Sequence, residues 1–278
     1  MEKEIEHKIG QAISQIKPFP HVVQEAISVI NSGDSDHIQL ANIIKQDLIL
    51  SARILSLANS PFYGMSREII GIENACIVLG ENIVRNILIS AGAIECFPAI
   101  GVRKKIWIHC IQVANISQLL ALKFNESPDD AYMSGLLHDV GKFVLLDLFP
   151  EYQAMYDSAY VINSRQSIEE ETKKIKINHA QVGANVIEIW NLPEDIRILV
   201  ENHHAPVNAN DSVLCHILSL SDVICHKLES EISDRKLLDS LIDSGLKYLN
   251  SDEQYFKEIL PGIREKISSL DGILEQLK

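Results

Sequence analysis

The sequence predicts an all-α fold, a multi-helix bundle with an N-terminal helical lobe. Apolar residues recur at three- and four-residue spacing along most of the 278 residues, the period that turns one face of a helix toward a core. No stretch of useful length alternates apolar and polar residues as a half-buried strand would. Proline, glycine and Asn/Asp clusters fall between the periodic runs, where helices have to stop. With 46% hydrophobic residues, the chain can bury the core of one large or two modest domains.

Taken in order, residues 4–16 carry a first helical pattern, and Lys17-Pro18-Phe19-Pro20 interrupts it because proline cannot continue a helix. Val22, Val23, Ala26, Ile27, Val29 and Ile30 form the apolar face of a second helix, which Asn31-Ser32-Gly33-Asp34 ends. A third pattern covers Ile38 to Ile44. Asp47 then has the chemistry of an N-cap for a helix from Leu48 to Asn59, broken at Ser60-Pro61-Phe62-Tyr63-Gly64. Segments Ile72 to Leu79 and Ile83 to Cys96 are divided by Gly80, a C-cap candidate. Arg103 to Lys123 is amphipathic. Ser127-Pro128-Asp129-Asp130 opens a helix through His138, and Asn178 with Gln181 forms a capping-box pattern for a helix to Trp190. Pro193 restarts a helix that ends at His203-His204, and Asp211-Ser212 precedes one running to about Glu229. The remainder, Ser233 to Lys278, is helical in pattern, with Pro261-Gly262 expected as a break.

Asp+Glu outnumber Lys+Arg by 38 to 25, and the resulting formal charge of -13 opposes non-specific attraction to nucleic acid or anionic lipid. No basic recognition helix is evident, so a nucleic-acid partner is not expected. The opening Met1-Glu2-Lys3-Glu4-Ile5-Glu6-His7-Lys8 has no apolar core, and no run of about 18 apolar residues occurs. A cytoplasmic protein without a membrane segment is expected. Cys76, Cys96, Cys110, Cys215 and Cys225 form an odd set without a CxxC pair, each among apolar residues, which reads as buried thiols.

The chemistry gathers in polar residues that interrupt apolar helices. His138-Asp139, followed by Gly141 and Lys142, sets an imidazole and a carboxylate side by side at a helix end, where both can grip one cation. The alternative is that Asp139 caps a helix or pairs with Lys142. His109 lies mid-helix and, taken alone, reads more readily as a hydrogen-bonded core histidine than as a ligand. His179 sits in the first turn of its helix, where the macrodipole favours the neutral imidazole that a metal needs; otherwise it makes an ordinary backbone contact. The doublet His203-His204 directs adjacent imidazoles apart unless the chain bends, so one could ligate while the other supports it. Asp222 stands on a largely apolar helix and calls for a partner, either a metal or His226 four residues on. His7, His21 and His37 read as surface residues.

Several blocks, in order, resemble one bacterial family. These are Lys17-Pro18-Phe19-Pro20, the run from Ile44 to Leu55, Ala58-Asn59-Ser60-Pro61-Phe62-Tyr63-Gly64 and Ala75-Cys76-Ile77-Val78-Leu79-Gly80. The likeness continues through Ser134 to Lys142, Asn178 to Ala184, Trp190-Asn191-Leu192-Pro193 and His203-His204-Ala205-Pro206. Together they resemble the HDOD (HD-related output domain) proteins, within the HD phosphohydrolase superfamily, over roughly residues 12–227. The resemblance implies an HD-domain-like bundle divided into an N-terminal lobe (1–100), a core with the metal site (101–230) and a C-terminal helical extension (231–278). It implies His109, His138, Asp139 and Asp222 as ligands of one divalent ion, with His179, His203 and His204 as those of a second. Fe, Mn, Zn, Ni or Mg would be the metal.

A site of that kind can activate water and stabilise a phosphoester's oxygens, with Asp139 and Lys142 as the catalytic candidates. The related HD-GYP enzymes carry an acidic residue and a Gly-Tyr-Pro element after the doublet, where this chain has Ala205-Pro206-Val207-Asn208. The resemblance therefore implies a signal-transduction module working through protein or small-ligand contacts. A metal-dependent phosphohydrolase acting on a nucleotide or other phosphoester is the alternative.

Overall fold

The structure is a computed structural model that describes residues 10–11, 14, 16–32, 37–59, 68–149, 152, 164–209, 212–229 and 235–268. Every regular element among them is helical. The expected helix over 4–16, the breaks at Gly33-Asp34 and Ser60 to Gly64, and Asp211 lie wholly or largely outside the described residues. The chain divides into two compact units, one of residues 17–98 and the other of residues 99–278 together with 1–16.

The smaller unit holds α1 (His21–Asn31), α2 (His37–Ile44), α3 (Leu48–Ala58), α4 (Ile72–Leu79) and α5 (Glu81–Cys96). Asp47 caps α3 by accepting from the Ile49 and Leu50 N–H groups at 2.8 and 3.0 Å. At the other end the Asn59 amide donates to the carbonyls of Leu55 and Ile69 and accepts from the Ile69 N–H, tying the α3 end to the approach of α4. Gly80 takes φ +78° and bends the chain by 110° between α4 and α5. Phe19, Val23, Leu40, Ile44, Ile54 and Leu88 fill the core. Cys96 departs from the expected buried thiol: it is half-buried, because its Sγ faces the Lys17 and Pro18 carbonyls at the unit's edge. The other four cysteines are buried.

The larger unit is built on α6 (Val102–Lys123), with α7 (Pro128–Leu137), α8 (Val140–Leu148), α9 (Ser164–Ile175), α10 (His179–Ile189), α11 (Glu194–Asn202), α12 (Val213–Glu229), α13 (Arg235–Tyr248) and α14 (Glu253–Ser268). A single 3-10 turn, Pro206–Asn208, links α11 to α12. Helix α6 packs against α7, α12 and α14, while α10 packs against α8 and α11. The α13 and α14 side chains Ile242, Leu246, Phe256 and Ile263 join Leu120, Leu218 and Ile224 in one apolar cluster.

Pro261-Gly262 does not break the last helix. α14 runs through it, with Phe256, Ile259 and Ile263 buried on one face, so packing holds the helix past the lost hydrogen bond. Two helices lack the apolar stripe that announces the others. α8 has nine residues and is apolar on nearly every side; α9, SRQSIEEETKKI, is polar on nearly every side. No single helix among the described residues is long and apolar enough to cross a membrane.

Two glycines set the spacing of the helices that carry the ligands. A Cβ on Gly135 would lie 2.6 Å from the Ala114 Cα, so α7 and α6 touch backbone to backbone. A Cβ on Gly141 would lie 2.0 Å from the His179 carbonyl oxygen, so α8 meets the start of α10 just as closely.

Candidate metal centre

All seven ligand candidates converge in the larger unit. His109 projects from mid-α6, His138 and Asp139 from the turn between α7 and α8, His179 from the first residue of α10, His203 and His204 from the end of α11, and Asp222 from α12. Asp139 occupies the N-cap position of α8, yet its side chain makes no capping bond. The carboxylate is turned inward instead, where its Oδ2 lies 3.4 Å from His138 Nε2, 3.9 Å from His109 Nε2 and 2.5 Å from Lys142 Nζ. Its Oδ1 faces the other way, 3.2 Å from His179 Nε2 and 4.0 Å from His203 Nε2. One carboxylate therefore stands between two groups of imidazoles, a bridging position.

On the Oδ2 side, His109, His138 and Asp222 bring ligand atoms within 4.8 Å of one another. Asp222 Oδ1 lies 3.0 Å from His109 Nε2 and 3.1 Å from His226 Nε2, and the His109 and His226 rings stack 4.5 Å apart. Asp222 is thus paired with His226, one of its two sequence-based readings, while its carboxylate also faces the His109–His138 group. On the Oδ1 side, His179, His203 and His204 also bring ligand atoms within 4.8 Å, with His204 Nε2 2.9 Å from His179 Nε2. Both members of the doublet reach the same cluster from the end of α11, where His203 still has helical backbone angles and the two rings lie 3.9 Å apart.

The tautomers follow from the outer bonds. His138 Nδ1 lies 2.7 Å from the Gly135 carbonyl and His203 Nδ1 lies 2.6 Å from the Val200 carbonyl. A carbonyl can only accept, so each Nδ1 carries a proton and, in the neutral ring, each Nε2 presents a lone pair. His179 is held similarly by a carboxylate. Glu171 of α9, buried at 1% exposure, accepts from the His179 backbone N–H at 2.8 Å and from its Nδ1 at 2.8 Å, and from the Tyr152 hydroxyl. A carboxylate or carbonyl behind an imidazole is the arrangement that orients a metal-binding histidine. Sequence reasoning missed Glu171; the one signal is an acidic residue eight positions before His179.

Burial alone would raise the Asp139 and Asp222 carboxyls. The His138 and Lys142 side chains instead hold Asp139 well below the usual range, and His226 and His109 do the same for Asp222. Burial would raise Glu171 too, but His179 lowers it. Burial pushes the His203 imidazole down to about 3, helped by neighbouring His138 and His179, and carries His204 well below its ordinary value. Neutral imidazoles are what a metal requires.

The residues fit a divalent cation on two grounds. His138 Nε2, His203 Nε2 and Asp139 Oδ1 are buried polar atoms without a hydrogen-bond partner, and all three point into the cluster. Around the cluster, Asp139, Glu171 and Asp222 are buried carboxylates, and Lys142 is the buried ammonium beside them. With every histidine in the neutral form that a metal needs, the three carboxylates and one ammonium would carry a net charge of -2, which one divalent ion would offset. Lys142, 3% exposed, is bonded to Asp139 rather than solvated.

The sequence compares with known proteins as this geometry suggests. The HDOD domain family matches residues 16–206. An uncharacterized protein of Treponema pallidum (strain Nichols) is 27% identical over 202 residues, covering 70% of this chain and 39% of that one. The chain spans less than half the length of the curated relatives it matches. Among solved structures, a protein from Shewanella amazonensis SB2B, provisionally named a phosphohydrolase, superposes with a TM-score of 0.72 at 21% identity, covering 97% of this chain and 96% of that one. A protein from Marinobacter aquaeolei VT8, provisionally named a signal transduction protein, gives a TM-score of 0.72 at 18% identity, covering 99% and 66%. On the family match over residues 16–206, together with the helical fold, the chain belongs to the HDOD domain family.

Proposed function

We propose that the chain is a cytoplasmic bacterial signal-transduction module whose helical core holds one or two divalent metal ions and which relays input through a protein or small-ligand contact. The observation that carries the metal part is the set of buried ligand atoms without hydrogen-bond partners, His138 Nε2, His203 Nε2 and Asp139 Oδ1. His109, His138, Asp139 and Asp222 would hold one ion, and Asp139, His179, His203 and His204 a second. The signalling part is supported by burial. His138, Asp139, His179 and His203 are fully buried among the described residues, which suits a structural or sensing centre better than turnover. Family membership and the name of the M. aquaeolei neighbour agree with it.

A second reading, a metal-dependent phosphohydrolase acting on a nucleotide or other phosphoester, is favoured by one observation: the two Asp139 oxygens face separate imidazole groups. A divalent ion would supply Lewis acidity and positive charge toward phosphoryl oxygens. The chain's own residues would do the rest. Asp139 would fix the spacing of the two groups, and Lys142 would hold Asp139 ionised and in place.

The test is elemental analysis of protein purified without chelator or affinity tag, beside His138→Ala. The expected result is near-stoichiometric Fe, Mn, Zn or Ni, lost in the variant. Protein that stays metal-free after anaerobic reconstitution with each ion would refute the metal centre. Asp139→Asn separates the two functional readings, since phosphoester hydrolysis by the wild type that the variant loses would establish the enzyme.

A further inference from the structure

Helix α13 belongs to the C-terminal stretch in which the sequence shows no chemistry, yet it forms one wall of a cavity of 370 Å3. The Pro206–Asn208 turn and α12 form the others. That volume lies within the range of small-molecule sites. His204 stands at its edge, so the cavity adjoins the centre described above. The wall is mainly aliphatic, with Leu220, Val223 and Leu241. His216 and Tyr248 also line it, their rings stacked on each other 10° from parallel, which adds aromatic carbon to the wall. The polar groups are the hydroxyls of Ser219 and Ser244 and the imidazoles.

Among the described residues, no Asp, Glu, Lys or Arg lines this space. In the metal-free protein an anion or cation entering would give up hydration with no charged side chain on the described lining to receive it, whereas a neutral ring would bury apolar area against Leu220, Val223 and Leu241 and find a few hydrogen-bonding groups. We propose that the cavity beside His204 binds a neutral, ring-bearing small molecule of one or two rings. Its role as an input rests on the signalling reading; the binding itself does not rest on the metal.

The experiment is ligand-observed NMR and calorimetry on the full chain with indole as the probe, against benzoate and phenyl phosphate. It is run on protein as purified and again after chelation, so that anion binding at a metal is separated from binding in the cavity. Ser244 and Val207 are exposed lining positions, so Ser244→Trp and Val207→Trp fill the space from outside the core. Indole should bind saturably with a Kd of about millimolar or tighter. Both variants should weaken it by at least about tenfold, and the two anions should bind at least about tenfold more weakly than indole. Indole that never saturates, or binding indifferent to both substitutions, would overturn the proposal. Phenyl phosphate displacing indole as well as indole itself after chelation would assign the cavity to a phosphoester instead. A metal-free protein that binds indole would leave this inference standing while the metal reading fell.

Discussion

Gly141→Ala is the sharpest probe of how the centre is held. The backbone of Gly141 has no positive φ, so alanine loses nothing in conformation; the effect is steric. The added Cβ would sit 2.0 Å from the His179 carbonyl oxygen and 2.6 Å from the Gly183 nitrogen, both backbone atoms that no rotamer change can move. Helices α8 and α10 must separate by about 1 Å before that contact reaches 3.0 Å. Overpacking of this kind costs about 1–3 kcal/mol, and a backbone obstacle puts it at the upper end. About 3 kcal/mol lowers the Tm of a domain this size by roughly 6–12 °C.

The same movement carries His179 away from Asp139, now 3.2 Å apart, whereas metal–ligand distances tolerate about 0.2 Å. Gly141→Ala should therefore lose both thermal stability and metal. Circular-dichroism melts and metal titration of the variant check this. A Tm within about 1 °C of wild type with unchanged metal affinity would refute the reasoning.

Other glycines grade the effect. Gly183→Ala meets the Cγ1 of buried Val200 at 2.9 Å, a side-chain rather than a backbone obstacle but one stiff at χ1, and should cost about 1–2 kcal/mol by chemical denaturation, less than Gly141→Ala. Gly262→Ala has nothing within 4 Å, is exposed in α14, and should stabilise by about 0.5–1 kcal/mol in the same assay. Glu171→Gln should weaken metal binding about 10–100-fold, while Glu171→Asp restores part of it; equal affinities in all three proteins would remove Glu171 from the centre.

Acid should destabilise the metal-free protein. His203 and His204 have folded pKa values below the unfolded value of about 6.5, so the unfolded chain binds more protons and stability falls as pH drops from about 6.5 toward 3. At pH 5 the loss is about 2 kcal/mol from His203, with His204 acting in the same direction, read by urea denaturation in chelator, and unfolding free energy that is flat between pH 7.5 and 5 would contradict it.

The residues of the candidate centre are legible in the sequence because a histidine or carboxylate inside an apolar helix stands out against its neighbours, as at His109 and Asp222. Caps were legible for the same local reason: Asp47, and Asn178 with Gln181, accept the bonds their spacing implies. What sequence could not show depends on distance between segments. Glu171 becomes meaningful only when α9 places it behind His179, and the two faces of Asp139 only when five elements meet around it. α8 escaped notice because a short helix buried on most sides has no polar stripe to give a period. The helix through Pro261 shows the reverse case, where tertiary burial of Ile259 and Ile263 outweighs a local breaker.

His109 and Asp222 meet across 113 residues of chain. An ion shared between them would act as a cross-link that closes a loop of that length, and closing a loop of about 100 residues by a covalent bond removes about 4.7 kcal/mol of unfolded-state entropy. The ends of that loop come together only after α6 and α12 have packed, so the ligand pair is among the most non-local products of folding. If the proposed ion bridges this pair, its removal would loosen the packing of α6 against α12, and metal content would set the lifetime of the folded chain.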